Sequence, residues 1–162
     1  MKQLLEKFAA YNHWANKKLL DTISKLDEDK IRQDIVSSFP SIYKTLIHMM
    51  EVENVWFQRL QLVENPTPPG WFSGNFNELS ERLQQLSQQW HDWVKNASDD
   101  AISHVFAYYN FKKEYFKQPV YEVLLHLFNH QSYHRGQLVT MLRQLGVDKI
   151  PQTDFIVFSR GK

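Results

Sequence analysis

VYEVLLHLFNHQSYHRGQLVTMLRQL, Val120 to Leu145, is the stretch from which the rest of the chain can be read. At about 100° per residue, Val123, Leu127, Leu138, Met141 and Leu145 form one face of a helix, and His130 and His134 project from within that face. An imidazole among aliphatic side chains needs a polar partner. Two such rings on successive turns of one face imply that they share a cation. His126 extends the series by one turn but lies about 100° from the centre of the stripe, so the last two histidines are the candidate ligands.

A cation needs further ligands. The segment from Ser41 to Val63 has a second helical repeat, with Ile42, Leu46, Met49, Trp56 and Leu60 apolar and Lys44, Glu51, Asn54 and Gln58 polar. His48 is flanked there by Thr45, Val52 and Val55, and a helix packed on the first stretch brings a third imidazole to the pair. His13 falls opposite Phe8, Tyr11 and Ala15 on the first helix and reads as a surface residue. Three neutral imidazoles form the ligand set of a catalytic-type divalent site, because they leave at least one coordination position open. Zinc fits best by ligand type; nickel, copper and ferrous iron accept the same donors.

The remaining periodicity describes a four-helix bundle with long connections. Leu4, Phe8, Tyr11, Ala15, Leu19 and Ile23 mark the first helix, which ends in the charged stretch Asp27 to Lys30. Ser41 follows Pro40 and starts the second. Pro66, Pro68, Pro69 and Gly70 break the chain before a third, Asn77 to Asn96, with Leu79, Leu83, Leu86, Trp90 and Trp93 on its apolar side. Ile102 to Phe116, rich in aromatic and β-branched residues, predicts a short extended hairpin turning near Tyr109 and Asn110. The tail Asp154 to Phe158 is apolar enough to pack on the bundle or on a second subunit. The expectation is an all-α single domain over residues 1–162, with the metal toward one end of the bundle, where a pocket can open.

Composition narrows the function. The chain has 162 residues, a formal charge of +1 and no cysteine, so it has neither a disulfide framework nor a thiolate metal site, and any sulfur chemistry needs a bound thiol. Intermingled charges give no footprint for nucleic acid. No apolar run is long enough to span a bilayer, and the first residues lack a signal-peptide core, which leads to the expectation of a cytoplasmic protein with a small-molecule substrate.

His126 to Leu138 resembles the last-helix motif of the DinB-like (damage-inducible) family. Leu46 to Trp56 resembles its second-helix motif and Tyr11 to Asn16 its first helix, so the similarity spans nearly the whole chain. The resemblance implies metal ligands at His48, His130 and His134, the set the helical faces select, and it implies a homodimer. Relatives include bacillithiol S-transferases and the mycothiol-dependent maleylpyruvate isomerase group. The implied activity is therefore metal-dependent activation of bacillithiol or another small thiol for transfer to an electrophile in a stress response. The alternatives are a metal-dependent hydrolase with hydroxide as nucleophile, and a non-catalytic stress-induced binding module in which the ion staples two helices.

Other residues are secondary candidates. Glu53 lies about 140° from His48 on the same helix and reads as a buried carboxylate paired with an Arg, Asn or Trp donor, or as a proton acceptor behind the ligands. Arg135 reads as a contact for an anionic substrate or as a surface or salt-bridge residue. Gly136 reads as a site of close helix packing.

Overall fold

The computed structural model describes residues 1–161. Four long helices carry the fold: α1 (Lys2–Ile23), α3 (Ile42–Leu60), α4 (Phe76–Asn96) and α6 (Val120–Gln144). Three short ones, α2 (Glu28–Arg32), α5 (Asp99–Ser103) and α7 (Phe155–Ser159), lie in the connections and the tail. Strands β1 (Val105–Tyr109) and β2 (Tyr115–Pro119) pair antiparallel, with Val105 opposite Pro119 and Tyr109 opposite Tyr115. This is the expected four-helix bundle with its hairpin. The charged stretch after the first helix forms α2 instead of a plain terminus, because Ile31 has a buried seat there.

Local chemistry sets the helix starts. The Ser41 side chain accepts from the Lys44 backbone amide, and Asn75 and Glu78 form a reciprocal capping box at the head of α4. Pro119, which lacks an amide proton to leave unsatisfied, is the N-cap of α6. Asn110 closes the hairpin turn by accepting at Oδ1 from the amides of Lys112 and Glu114, at 2.9 and 3.0 Å.

Both α1 and α3 pack against α4 and α6, so α1 faces α3 across the diagonal. That arrangement explains why the connections 24–41 and 97–119 are long: each carries the chain between diagonal corners, whereas 61–75 joins neighbours. It also corrects two readings of α1, which buries an arc facing two neighbours and not one stripe. Leu4 is exposed and Leu5 is buried in its place. His13 is half-buried, with Nδ1 3.2 Å from the Ser87 hydroxyl, and is no surface residue.

The core is divided. One apolar cluster gathers Leu19, Ile23, Leu46, Met49, Leu83 and Met141; the other gathers Leu5, Ala9, Trp90, Val123, Leu124 and Phe128. Between them every long helix contributes buried polar residues: Asn12 and Asn16 from α1, Glu53 from α3, Ser87 from α4, Gln131 and Arg135 from α6. The tail packs on its own chain, with the Phe155 ring stacked on Phe8 at 4.7 Å and the Tyr11 hydroxyl donating to the Thr153 carbonyl at 2.7 Å. Gly136 is exposed and a Cβ there meets nothing, so close packing does not explain it. No helix among the described residues is long and apolar enough to cross a membrane.

Candidate metal centre

The polar layer opens to solvent where α3 meets α6. On α6, His130 and His134 are one turn apart; on α3, His48 faces them. Nε2 of His130 lies 3.0 Å from Nε2 of His48 and 3.1 Å from Nε2 of His134, and all three nitrogens fall within 4.8 Å of one another. Gln131 donates to the Met49 carbonyl at 2.9 Å, a bond that fixes the register between the two helices beside the cluster. His134 is buried, whereas His48 and His130 are half-buried and form the open edge.

Protons decide what this cluster can do. The Nδ1 of His134 lies 2.8 Å from Oε1 of Gln137, whose amide nitrogen donates to Ser38 at 3.0 Å. Nδ1 of His134 is therefore the protonated nitrogen, and its Nε2 presents a lone pair to the cluster. The Nε2 of His130 stands between two other ring nitrogens, and its buried Nδ1 has no partner. One proton can bridge one of the two contacts but not both, so a lone pair faces a lone pair unless a cation lies between them. Burial is the main cause that lowers the pKa of His48 to about 4 and that of His130 to about 3, with the neighbouring imidazoles adding to the effect. Both rings are thus neutral at pH 7, as ligands must be.

The donor set fits a divalent transition ion. Around a tetrahedral zinc with bonds of roughly 2.0–2.1 Å, neighbouring nitrogens sit about 3.3 Å apart, a few tenths of an ångström wider than the two contacts found here. No carboxylate joins the cluster among the described residues. Phe39, in the segment before α3, stacks on His48 at 4.2 Å and covers one side of the site. His126 is exposed, 5.9 Å from His130 between ring centroids and 5.7 Å from Trp56, so it stands on the rim and outside the cluster.

Glu53 and Arg135 lie elsewhere, in the centre of the polar layer. Glu53 is fully buried; its Oε1 accepts from Asn12 at 2.9 Å and Asn16 at 3.5 Å, while Oε2 has no partner. Arg135 is buried as well, and its guanidinium donates to the carbonyls of the same two asparagines, at 2.6 and 2.9 Å, and to the Ser132 hydroxyl at 2.8 Å. The reading of Arg135 as a surface residue is corrected, since the side chain is buried and three of its five donors are taken up inside the bundle. Its tie to Glu53 runs through the asparagines and not through a direct salt bridge. The reading of Glu53 as a carboxylate held by buried donors agrees with the geometry, and its carboxyl, raised to about 8 chiefly by burial, takes up no position among the histidines.

Gln137, Phe39 and the asparagine pair went unread in the sequence. Gln137 carried a usable signal, an amide three residues after a candidate ligand on the same helix. Asn12 and Asn16 carried another, since their i, i+4 spacing repeats that of the histidines inside an apolar stripe. Phe39 sits in an irregular segment with no periodicity to reveal it.

Comparison with known proteins agrees with this architecture. The DinB family model matches residues 1–161. Protein DinB of Bacillus subtilis (strain 168) is 27% identical over 158 residues, covering 92% of this chain and 90% of the relative. Among solved structures, YfiT from Bacillus subtilis, described as a probable metal-dependent hydrolase with an unusual four-helix bundle topology, superposes with a TM-score of 0.71 at 14% identity, covering 90% of each chain. A DinB-like protein from Bacillus cereus ATCC 10987 superposes with a TM-score of 0.68 at 19% identity, covering 88% of this chain and 91% of that one.

Proposed function

The chain belongs to the DinB family, and we propose that it is a metal-dependent enzyme in which His48, His130 and His134 hold a divalent transition ion, zinc by ligand type, and a small thiol is activated for transfer to an electrophilic carbon. The observation that carries this reading is a cluster of three neutral donors with no acidic side chain in it. Three neutral ligands leave the full double charge of an ion uncompensated, so an anionic fourth ligand is favoured. Bound there, the cation supplies Lewis acidity that brings the pKa of a thiol or a water down toward neutrality.

The chain's own part is positional. Gln137 and Ser38 hold the His134 ring with its lone pair inward, Gln131 fixes the register of α3 on α6, and Phe39 keeps water off one face of His48. Since no carboxylate stands beside the histidines, the thiol proton leaves to solvent. The sulfur then forms its bond to carbon as the leaving group departs with its electron pair. The missing carboxylate weighs against hydrolysis, where a leaving alkoxide or amine needs a proton from a nearby acid. Hydrolysis remains the second reading because YfiT is described as a probable metal-dependent hydrolase. The family resemblance also supports a homodimer as the working assembly.

The discriminating assay incubates the zinc-loaded protein with bacillithiol, glutathione or coenzyme A and a model alkylating electrophile, alongside a panel of activated esters and amides. Zinc-dependent thioether formation that disappears in His48→Ala supports thiol transfer. Zinc-dependent ester or amide cleavage without thioether formation moves the assignment to the hydrolase. Neither activity, with zinc bound, leaves the ion as a staple and contradicts both.

A further inference from the structure

Beyond the histidines, the same face of α3 ends in a buried cation with no counter-ion. His48, Val52, Trp56 and Arg59 follow one another at helical spacing, and Arg59 lies roughly 16 Å from His48 along the axis at about 1.5 Å per residue. Arg59 is 8% exposed, and its buried Nε has no hydrogen-bond partner. No salt bridge reaches it among the described residues. Three aromatic rings surround the guanidinium: Trp56 at 4.7 Å, Tyr108 at 5.1 Å and Phe111 at 5.3 Å from Cζ. Cation–π contacts hold its plane but satisfy none of its N–H donors.

This cation borders a cavity. A space of about 160 Å³ opens beside Arg59 between the end of α3, the loop after it and β1, lined further by Leu62, Pro66, Ala107 and Tyr108. It is too small for a drug-sized ligand, which needs roughly 300 Å³ or more, but matches a single charged group. Glu64 also lines it and is exposed, without reaching the guanidinium. Burial lowers the Arg59 pKa, yet a guanidinium stays protonated in a protein, so a charge that is largely but not wholly desolvated persists, its Nε buried and its terminal nitrogens open to the cavity side. Leaving such a charge unpaired is costly, and a planar fork of donors is the arrangement that pairs with a carboxylate or phosphate.

We propose that the Arg59 cavity is an anion subsite that takes a carboxylate or phosphate group of the small molecule on which this protein acts. Neighbouring aromatic and imidazole rings run along the surface between the two ends: Trp56 lies 5.0 Å from Tyr108 and 5.7 Å from His126, which lies 5.9 Å from His130, between ring centroids. The substrate class is then an extended anionic molecule, its charged end on Arg59 and its reactive end at the histidines. The second half of that statement rests on the functional reading above; the subsite itself does not.

The test follows the Arg59 Nε–H resonance of the full-length protein by NMR during titration with inorganic phosphate and, separately, succinate, each with and without one equivalent of zinc. A saturable shift of that resonance, with or without zinc, is expected for at least one anion, and the two titrations distinguish phosphate from carboxylate. Arg59→Gln should take up zinc as the wild type does while losing the anion response of Tyr108 and Phe111 at least tenfold. If Arg59→Gln fails to fold, Arg59→Lys carries the comparison: it keeps the charge but loses the fork, and its anion affinity should fall at least fivefold. An Arg59 resonance that stays still under both anions, or a variant that binds them as the wild type does, overturns the subsite. Failure to bind zinc with anion binding intact overturns the metal reading alone.

Discussion

The histidine rim and the asparagine centre belong to one polar layer, yet they differ in how their atoms match. At the centre the contacts pair donors with acceptors, leaving Oε2 of the Glu53 carboxyl over: amide groups of Asn12 and Asn16 give to Glu53, and their carbonyls receive from Arg135. At the rim, like meets like, with three Nε2 atoms converging and the buried Nδ1 of His130 left alone. A matched set is structural and nearly complete in itself, whereas a convergent set of lone pairs asks for a cation. Spacing at i, i+4 within an apolar stripe announces both; only the chemistry of the side chains separates them.

The contrast breaks most visibly under Arg135→Ala. Losing that partner leaves buried acceptors on both asparagines and, at about 1–3 kcal/mol for each, should cost about 2–6 kcal/mol, a fall in Tm on the order of 10 °C. The loss should be the same with and without zinc, as measured by thermal unfolding; a loss that zinc reverses would mean that centre and rim act as one site. Gln137→Ala probes the opposite side. Removing the acceptor that orients His134 should weaken zinc binding about 10–100-fold with little change in the Tm of the zinc-free protein. Competition against a chelating dye measures this, and unchanged affinity would mean that Gln137 does not orient a ligand.

A third effect concerns Glu53 and shows only as pH changes. Its carboxyl is held at about 8 in the folded chain against 4.5 as the ordinary value, so folding tightens its hold on a proton. Its contribution to stability is complete below pH 4.5 and is lost as pH rises toward 8, with a slope of at most about 1.4 kcal/mol per pH unit. Glu53→Gln, which keeps an acceptor for the asparagines but cannot ionise, should flatten that part of the stability profile. A denaturant series between pH 5 and pH 8 checks it, and an identical slope in both proteins would place the titration elsewhere.

Periodicity carried most of the fold because each long helix buries a regular stripe, from Val123 to Leu145 on α6 and from Ile42 to Leu60 on α3. It failed on α1, where the buried arc takes in His13 and leaves Leu4 outside, and in part on α3, where Glu51 and Asn54, read as its polar side, are buried because two neighbouring helices and the loop after it cover that face. The histidine trio was legible since imidazoles stand out in an aliphatic face. Arg135 was misread because a helix wheel records direction and not the partners that wait inside; the asparagines that take up its donors come from a helix far away in sequence. Arg59 escaped notice for a related reason. Its meaning lies in Tyr108 and Phe111, which the hairpin brings to it across some fifty residues of chain.

Metal content reports whether the three imidazoles hold one ion. Protein purified without added metal, then exposed to one equivalent of zinc and desalted, should retain close to one ion per chain, while His48→Ala and His130→Ala, folded by circular dichroism, should retain almost none. A wild type that keeps no transition metal after loading, or variants that keep as much as the wild type does, would contradict the assignment of these three imidazoles as a single ion's ligands.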